Sequence, residues 1–309
     1  MTAALLGAGV SVVLFSAALV IPLAGFVSGF LAAAPLSLVR LHADRTVALF
    51  ATLLGGLILA LTYTPLVAGW YMAQCGLAGY LVPELALSGH RPSRVILWST
   101  ASASLLTVLL VVIISLATGL NPQLFVEKEV GQGLEQAMKL YETPGKLSVQ
   151  DIETLKSGME SIGQLMIRIY PALATLNLML VCIITTGLFF YAAARRSVKL
   201  AAVPFSNFKA PELLVWPAIL AGFATLIPYP LLTTPALNLL VVLGFVYFIQ
   251  GFAVLLCLIN KTDYRGMLKV FTVILLMTQP YLAMVVAIIG IFDIWGDFRA
   301  LSKQTEENL

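Results

Sequence analysis

The chain has 309 residues, of which 60% are hydrophobic and only 11% are charged. A soluble domain is about half apolar and about one quarter charged, so this composition excludes an ordinary soluble protein. The formal net charge of +3 gives no indication of nucleic-acid binding, because the basic residues lie at predicted helix ends rather than in one patch. The lipid bilayer is therefore the first partner that the sequence predicts, and nucleic acid is not expected.

Long stretches of the chain carry almost no charge. Between Thr46 and Gly89 the only acidic or basic side chain is Glu84, and between Val95 and Val126 there is none. Crossing the hydrocarbon takes about 20 mostly apolar residues in a helix, whereas a β-barrel shows short alternating segments. The sequence predicts an all-α, polytopic bundle of about 8–10 spans, with residues 1–309 as a single integral membrane domain.

The first apolar run, Ala3–Val39, has 37 residues and is too long for one span. Pro22 removes a helix hydrogen bond within it, which predicts two shorter helices. The second helix carries Gly25, Gly29 and Ala33 at four-residue spacing, and such a ridge of small residues lets another helix approach closely. The ridge serves either packing within the chain or docking of a partner subunit. No Lys or Arg precedes the run, so we expect a retained N-terminus rather than a cleaved signal peptide.

Further spans are predicted at about 46–63, 66–86, 95–118, 167–194, 213–228 and 236–259. Between two of them, residues 119–166 contain seven acids and four bases. Two helix-like stretches flank the turn ETPGK in this segment, and Ser148 with Asp151 resembles a capping box that opens the second one. We expect a small helical hairpin inserted between spans. The last apolar stretch, 270–294, is split by Gln279-Pro280, which predicts one kinked span or two half-length helices.

Lys and Arg in short links predict the orientation. The links at 40–45, 88–95, 195–212 and 260–269 together contain eleven Lys and Arg, whereas TYTP at 62–65 and residues 229–235 contain none. The N-terminus and the basic links are therefore expected in the cytoplasm. The hairpin at 119–166 is expected to be extracytoplasmic, in a bacterial inner membrane.

Polar side chains inside predicted spans are the candidate intramembrane site, because their burial in lipid is costly. These residues are Gln74, Glu84, Asn177, Asn238, Gln250 and Gln279. Glu84 is interpreted either as an interfacial residue near the cytoplasmic end of its span or as an ion or proton site. The amides either join helices to one another or bind a substrate.

In the closing phrase GIFDIWGDFR, polar and aromatic residues follow one another closely at a predicted helix end. Its candidate residues are Gly290, Asp293, Trp295, Asp297 and Arg299. Asp293 and Asp297 are four residues apart, so a helix would place both on one face. The phrase predicts an interfacial anchor or, as the alternative, a docking surface.

Catalytic, cofactor-binding and metal-binding residues are not predicted. His42 and His90 lack the HExxH spacing, and Cys75, Cys182 and Cys257 match no zinc or redox motif and are expected to be packing residues. The sequence contains neither GxxxxGK[ST] nor GxSxG, so neither an ATPase nor that type of hydrolase is expected.

Four phrases together resemble one family: IPLAGFVSGFLAAAPLSLVRLHADR, RIYPALATLNLML, FSNFKAPELLVW and GIFDIWGDFR. The chain is similar over essentially its whole length to the YybS-like predicted membrane proteins, domain of unknown function 2232. More distantly, its opening pair of helices resembles the substrate-binding subunits of energy-coupling-factor vitamin transporters and the rod-shape protein MreD. The resemblance implies a helical membrane fold and assigns no catalytic residue.

Two functions fit these features. The first is a small-molecule binding or transport subunit without its own ATPase, because broken helices and amides form midplane sites in transporters. Its partners would be a membrane protein and a small-molecule substrate. The alternative is a non-transporting scaffold of a cell-envelope or division assembly, with the hairpin and the C-terminal phrase as its outward surfaces. A lipid-handling enzyme would need clustered acids in a polar cleft, for which the sequence gives no indication.

Overall fold

The computed structural model of the protein describes residues 1–141, 149–260, 264–279, 281–296 and 298. Every regular element in these ranges is a helix, which confirms the predicted all-α class. The α-helices are α1 Thr2–Val20, α2 Pro22–Leu31, α3 Ala34–Val39, α4 Arg45–Thr62, α5 Pro65–Tyr71, α6 Leu77–Leu87, α7 Pro92–Thr118, α8 Pro122–Tyr141, α9 Val149–Arg195, α10 Val215–Ala224, α11 Pro230–Ile259, α12 Arg265–Thr278 and α13 Tyr281–Gly296. A π-helical segment, Met72–Gly76, joins α5 to α6, and 3-10 turns cover Phe205–Asn207 and Glu212–Leu214.

The helices form two compact units. The first unit contains Met1–Glu135 and Ala174–Ala202, and the second contains Gln136–Leu173 and Val203–Leu309. The core of the first unit combines small residues, among them Cys75 and Cys182, with a few large ones: Phe15, Leu36, Leu59 and Tyr71. The second unit has its core around Ala210, Val215, Leu243 and Tyr247.

The opening apolar run divides at the predicted place. Ile21 is extended, with φ −114° and ψ 103°, and α2 begins at Pro22. A residue before proline is disfavoured in the helical region, and proline suits the first position of a helix, so α1 ends and α2 begins there. The second half of the run divides again at Ala32-Ala33 and continues as the short helix α3.

The predicted span at 66–86 is helical from Pro65 to Leu87, but its middle is the π-helical segment Met72–Gly76. Gly56 of α4 faces this segment, since a Cβ atom built on Gly56 would lie 2.9 Å from the sulfur of Met72. A larger residue at position 56 would require the side chain of Met72 to move. Single π-helical turns within α-helices are frequent at functional sites.

The acidic segment 119–166 has no helix boundary at its predicted end. Helix α8 covers its first half, whereas the second stretch runs on without a break through residue 167 to Arg195 as the 47-residue helix α9. The turn ETPGK and Ser148 of the predicted capping box lie outside the described residues. Pro171 lies inside α9 and does not end it.

The last apolar stretch forms two helices that are separated at the predicted break. Helix α12 ends at Thr278 and α13 begins at Tyr281, and the two are bent by 117° with respect to each other. Gln279 lies at the break with φ −128° and ψ 84°. Pro280 lies outside the described residues.

The polytopic bundle is confirmed, but full-length spans are fewer than predicted. Among the described residues, five helices are each long and apolar enough to cross a membrane, and the bent pair of α12 and α13 makes six. Pro22 and the Ala32-Ala33 turn divide the opening apolar run into shorter helices. Residues 65–87 are helical throughout, but their π-helical middle separates two α-helices that are each too short to be counted as a span. Helix α10 is also short, with 10 residues.

Candidate functional site

The polar residues predicted within spans fall in both units. Gln74, Glu84 and Asn177 belong to the first unit, whereas Asn238, Gln250 and Gln279 belong to the second. The structure brings Gln74 and Asn177 together, and it brings Gln250 together with Asp293.

Gln74 and Asn177 line one small cavity in the first unit. Gln74 lies in the π-helical segment, Asn177 lies on α9, and the cavity is completed by Trp70, Thr107, Ala174 and Leu178. Its volume is about 20 Å³. A single water molecule needs a cavity of about 10–15 Å³ by this measure, so the space as formed fits one water and not a metabolite.

Glu84 lies near the end of α6 and is paired with arginines. Its Oε1 accepts a hydrogen bond from Arg40 Nε at 2.7 Å, and its Oε2 lies 3.8 Å from Arg45 Nε. Arg45 Nε also donates to the Tyr80 hydroxyl at 2.7 Å. This is the arrangement of a paired charge at a helix end rather than of a lone carboxylate within the hydrocarbon.

Asn238 of α11 joins its helix to the backbone of α9. Its Nδ2 donates to the carbonyl oxygen of Arg168 at 2.8 Å, and its Oδ1 accepts from the backbone N–H of Ala172 at 2.8 Å. In a regular α-helix these two backbone groups would bond to each other. The side-chain amide of Asn238 thus bonds to both backbone groups, in the turn of α9 that contains Pro171.

Gln250 of α11 is buried, with 1% of its surface exposed, and joins two distant segments of the second unit. Its Oε1 accepts from the backbone N–H of Ala210 at 3.0 Å, and its Nε2 donates to Oδ2 of Asp293 at 3.3 Å. Ala210 belongs to the phrase FSNFKAPELLVW and Asp293 to the phrase GIFDIWGDFR. One buried amide therefore connects both phrases.

Two glycines, Gly251 and Gly290, bring α11 and α13 into close contact near Gln250 and Asp293. A Cβ atom built on Gly251 would collide with the carbonyl oxygen of Val286, and one built on Gly290 would collide with that of Tyr247. The backbones can approach this closely only because both residues lack side chains. Gly290 of the C-terminal phrase is thus a packing residue between the two helices.

A groove of about 470 Å³ lies beside this junction, between the start of α10 and the end of α13. We call it the tryptophan groove, and it is lined by Glu212, Leu213, Val215, Trp216, Ile219, Ile294 and Trp295. Trp216 and Trp295 are each 66% exposed. Among the described residues that line the groove, Glu212 is the only charged one.

The remaining predicted residues serve the packing of the chain or lie outside its described part. Gly25 packs on α1, since a Cβ atom built on it would lie 2.7 Å from the carbonyl oxygen of Ala18. Gly29 is half-buried beside the same residue, and Ala33 is buried with its carbonyl oxygen near Gly79 of α6. Asp297 and Arg299 of the C-terminal phrase lie outside the described residues.

Several residues of the cavity and the groove were not predicted as site residues from the sequence. Thr107 and Trp70 reach the cavity, and Tyr247 packs beside Gly290, although all three look like ordinary residues of apolar spans. Trp216 and Glu212 lie within the phrase FSNFKAPELLVW, which the sequence linked only to the family resemblance. Pairing this phrase with the C-terminal one would have pointed to the groove.

The fold and the apolar helices define the class: a polytopic helical membrane protein. Residues 9–294 match the model of the family described as predicted membrane protein, DUF2232, and the chain therefore belongs to this family. No curated protein matches the chain, and neither does any solved structure.

Proposed function

We propose that this protein is a membrane subunit that binds a small amphipathic molecule in the tryptophan groove. The size of the groove is the observation that supports this function most directly. Its volume of about 470 Å³ lies within the range of about 300–1,000 Å³ that is usual for small-molecule sites. The cavity beside Gln74 and Asn177, by contrast, is only of water size.

The lining of the groove favours a ligand with an apolar body and a cationic group. Leu213, Val215, Ile219 and Ile294 supply apolar surface. Trp216 and Trp295 offer aromatic rings, which attract cations through their π faces, and Glu212 adds the complementary negative charge. Burial of the apolar body provides affinity, while the carboxylate and the rings select the charge.

The proposed location is the bacterial cytoplasmic membrane, with the N-terminus and the basic links inside. The supporting pattern is the eleven Lys and Arg of the four basic links. In a variant whose three cysteines are replaced, an impermeant maleimide applied to intact cells should label a new cysteine at Asn121 and not one at Ser93. Labelling of Ser93 alone would reverse the orientation. Since the chain has no ATPase motif, transport would require a partner subunit or an ion gradient.

A scaffold function is the second candidate, and the exposure of both groove tryptophans favours it. Exposed tryptophans are frequent anchors of protein interfaces. In that case the groove would hold a helix of a partner protein instead of a small molecule. The two functions predict different occupants of one surface, so a single set of variants separates them.

Equilibrium dialysis with an octyltrimethylammonium probe tests the proposal on the full chain in non-ionic detergent. A neutral analogue with carbon in place of nitrogen is the matched probe. We expect saturable binding of the cation, at least about tenfold tighter than the analogue, and loss of that preference in Glu212→Gln. Trp216→Ala and Trp295→Ala should lose binding, whereas Trp98→Ala, which removes an exposed tryptophan of the first unit, should retain it.

Equal uptake of both probes, or undiminished binding by Trp216→Ala and Trp295→Ala, would contradict the small-molecule function. Photo-crosslinks from position 216 to one defined protein, together with absence of probe binding, would support the scaffold instead. Thermal unfolding midpoints of all variants confirm that each one is folded.

A further inference from the structure

Three arginines converge on the link between α3 and α4 in the first unit. Arg40 and Arg45 delimit this link, and Arg196 reaches it from the end of α9. Nη1 of Arg196 donates to the carbonyl oxygen of Leu41 at 3.3 Å, and its Nη2 contacts Nε2 of His42. We call Arg40, Arg45 and Arg196 the arginine cluster.

Hydrogen bonds hold each guanidinium in place. Arg40 donates to Glu84 and to the carbonyl oxygen of Ala43, and Arg45 donates to the hydroxyl of Tyr80. Ser197 follows Arg196 with φ 56°, a left-handed conformation that is uncommon for a residue with a side chain and typical of the end of a helix. A fixed guanidinium presents its parallel N–H groups to phosphate oxygens with little loss of side-chain entropy.

The charges of the cluster are not balanced. Arg40 and Arg45 pair with Glu84, and Asp44 is adjacent to Arg45 in the sequence, so two acids stand against three arginines and leave one positive charge in excess. Nδ1 of His42 lies 3.0 Å from the carbonyl oxygen of Leu38, and Nε2 of the same ring contacts Arg196. Within the described ranges, Arg196 has no carboxylate within 4.0 Å.

The start of α4 adds to the positive potential. Arg45 is the first residue of this 18-residue helix; Asp44 precedes it as the N-cap residue without a side-chain capping hydrogen bond, and the first turn contains no acid. A helix N-terminus carries partial positive charge and unbonded N–H groups, so a cation there is unfavourable unless an anion is close. The side chain of Arg45 is 69% exposed and thus accessible to such an anion.

The cluster lies where helices of membrane-spanning length begin and end. Helix α4 starts at Arg45, and α9 ends at Arg195, and both are long and apolar enough to cross a bilayer. Residues directly beyond such helices lie at the depth of the lipid headgroups. Basic pockets between transmembrane helices bind anionic headgroups in other membrane proteins.

We infer that the arginine cluster binds the phosphate group of an anionic phospholipid, with Arg196 and Arg45 as its principal donors. This site is independent of the tryptophan groove, which lies in the second unit. The ligand class is a phosphate diester carried by a lipid with net negative charge. A zwitterionic lipid carries its own ammonium group and is a weaker ligand.

Native mass spectrometry of the full chain, titrated with phosphatidylglycerol or phosphatidylcholine in detergent, tests this site. We expect at least one tightly retained phosphatidylglycerol molecule and an affinity about fivefold lower in Arg196→Gln. Arg195→Gln is the matched control, because Arg195 is the preceding residue and instead donates to the hydroxyl of Tyr191 at 2.8 Å. Its affinity should equal that of the unchanged protein.

Equal losses in Arg195→Gln and Arg196→Gln would overturn the site and indicate a diffuse basic surface. Equal retention of both lipids would overturn it as well. If inorganic phosphate at millimolar concentration displaces the lipid completely, the cluster is a free-phosphate site and the lipid assignment is wrong. Should Arg196→Gln fail to fold, Arg45→Gln replaces it, since that side chain is largely exposed, and an unchanged affinity would then contradict the inference.

Discussion

The side-chain amide of Asn238 donates a hydrogen bond to the backbone carbonyl of Arg168, which lies on another helix 70 residues away in the sequence. The same amide accepts a hydrogen bond from the backbone N–H of Ala172, so it bonds to both backbone groups of one turn of α9. This turn contains Pro171, whose ring carries no N–H and crowds the preceding turn. A proline within a transmembrane helix is tolerated when a neighbouring side chain satisfies the backbone groups near it.

Replacing Asn238 with leucine should destabilise the protein by about 1–3 kcal/mol, because it leaves one backbone donor and one acceptor of α9 without their partner. Denaturant titration in mixed micelles measures the change in free energy of unfolding. Asn260→Leu is the control, since Asn260 is exposed at the end of the same helix, and its effect should stay within about 0.5 kcal/mol. Equal effects of the two variants would contradict the assigned role of Asn238.

Gly251→Ala should destabilise the second unit by about 1–3 kcal/mol, because the added methyl group collides with the carbonyl oxygen of Val286 on α13. Gly244 lies on the same helix with nothing within 4 Å of an added Cβ atom. Gly244→Ala should therefore be neutral or stabilising by up to about 1 kcal/mol. Thermal unfolding of both variants under identical conditions provides the comparison, and a stable Gly251→Ala protein would show that the helices are not in close contact there.

Gln250→Leu should release the FSNFKAPELLVW link from α13, because the N–H of Ala210 and the carboxylate of Asp293 each lose a hydrogen bond to the same amide. Hydrogen exchange followed by mass spectrometry should show at least about tenfold faster exchange in peptides covering 205–214. Asn238→Leu serves as the comparison on the same helix. Acceleration of equal size in that variant would mean that the link responds to general destabilisation and not to the loss of Gln250.

Thr185→Val should be neutral or stabilising by up to about 1 kcal/mol. The hydroxyl of Thr185 is buried and has no hydrogen-bond partner among the described residues, so the isosteric methyl group removes a polar atom from an apolar core. Ser11→Ala should act in the opposite direction, because Ser11 donates to the carbonyl oxygen of Ala32 at 2.6 Å and shares a hydrogen bond of 2.7 Å with the hydroxyl of Tyr71. Parallel unfolding titrations measure both, and destabilisation by Thr185→Val would refute the prediction.

Local chemistry was predictable from the sequence, whereas contacts between distant residues were not. The break before Pro22 follows from proline geometry and is present in the structure. Pro171 lies in a similar apolar context and leaves α9 unbroken, because Asn238 approaches it from another helix. No local sequence pattern predicts the contact between Asn238 and α9.

Hydropathy reports the apolar length of a segment but not where its helix changes geometry. The π-helical segment Met72–Gly76 lies against Gly56 of α4, a contact between segments that the span prediction could not include. For the candidate sites, the sequence identified Gln250 and Asp293 as unusual residues, but it gave no indication that they touch. The tryptophan groove required two phrases about 80 residues apart to meet, which is a property of the fold alone.

The contact between Gln250 and Asp293 also bears on how the chain enters the membrane. An aspartate at the centre of a transmembrane helix raises the free energy of insertion by about 2.5–3.5 kcal/mol, and by less toward the helix end, where Asp293 is found. Helix α11 precedes α13 in the chain, so Gln250 leaves the ribosome 43 residues before Asp293. We therefore expect the earlier helix to offer a hydrogen-bond partner to the later one as the chain is inserted.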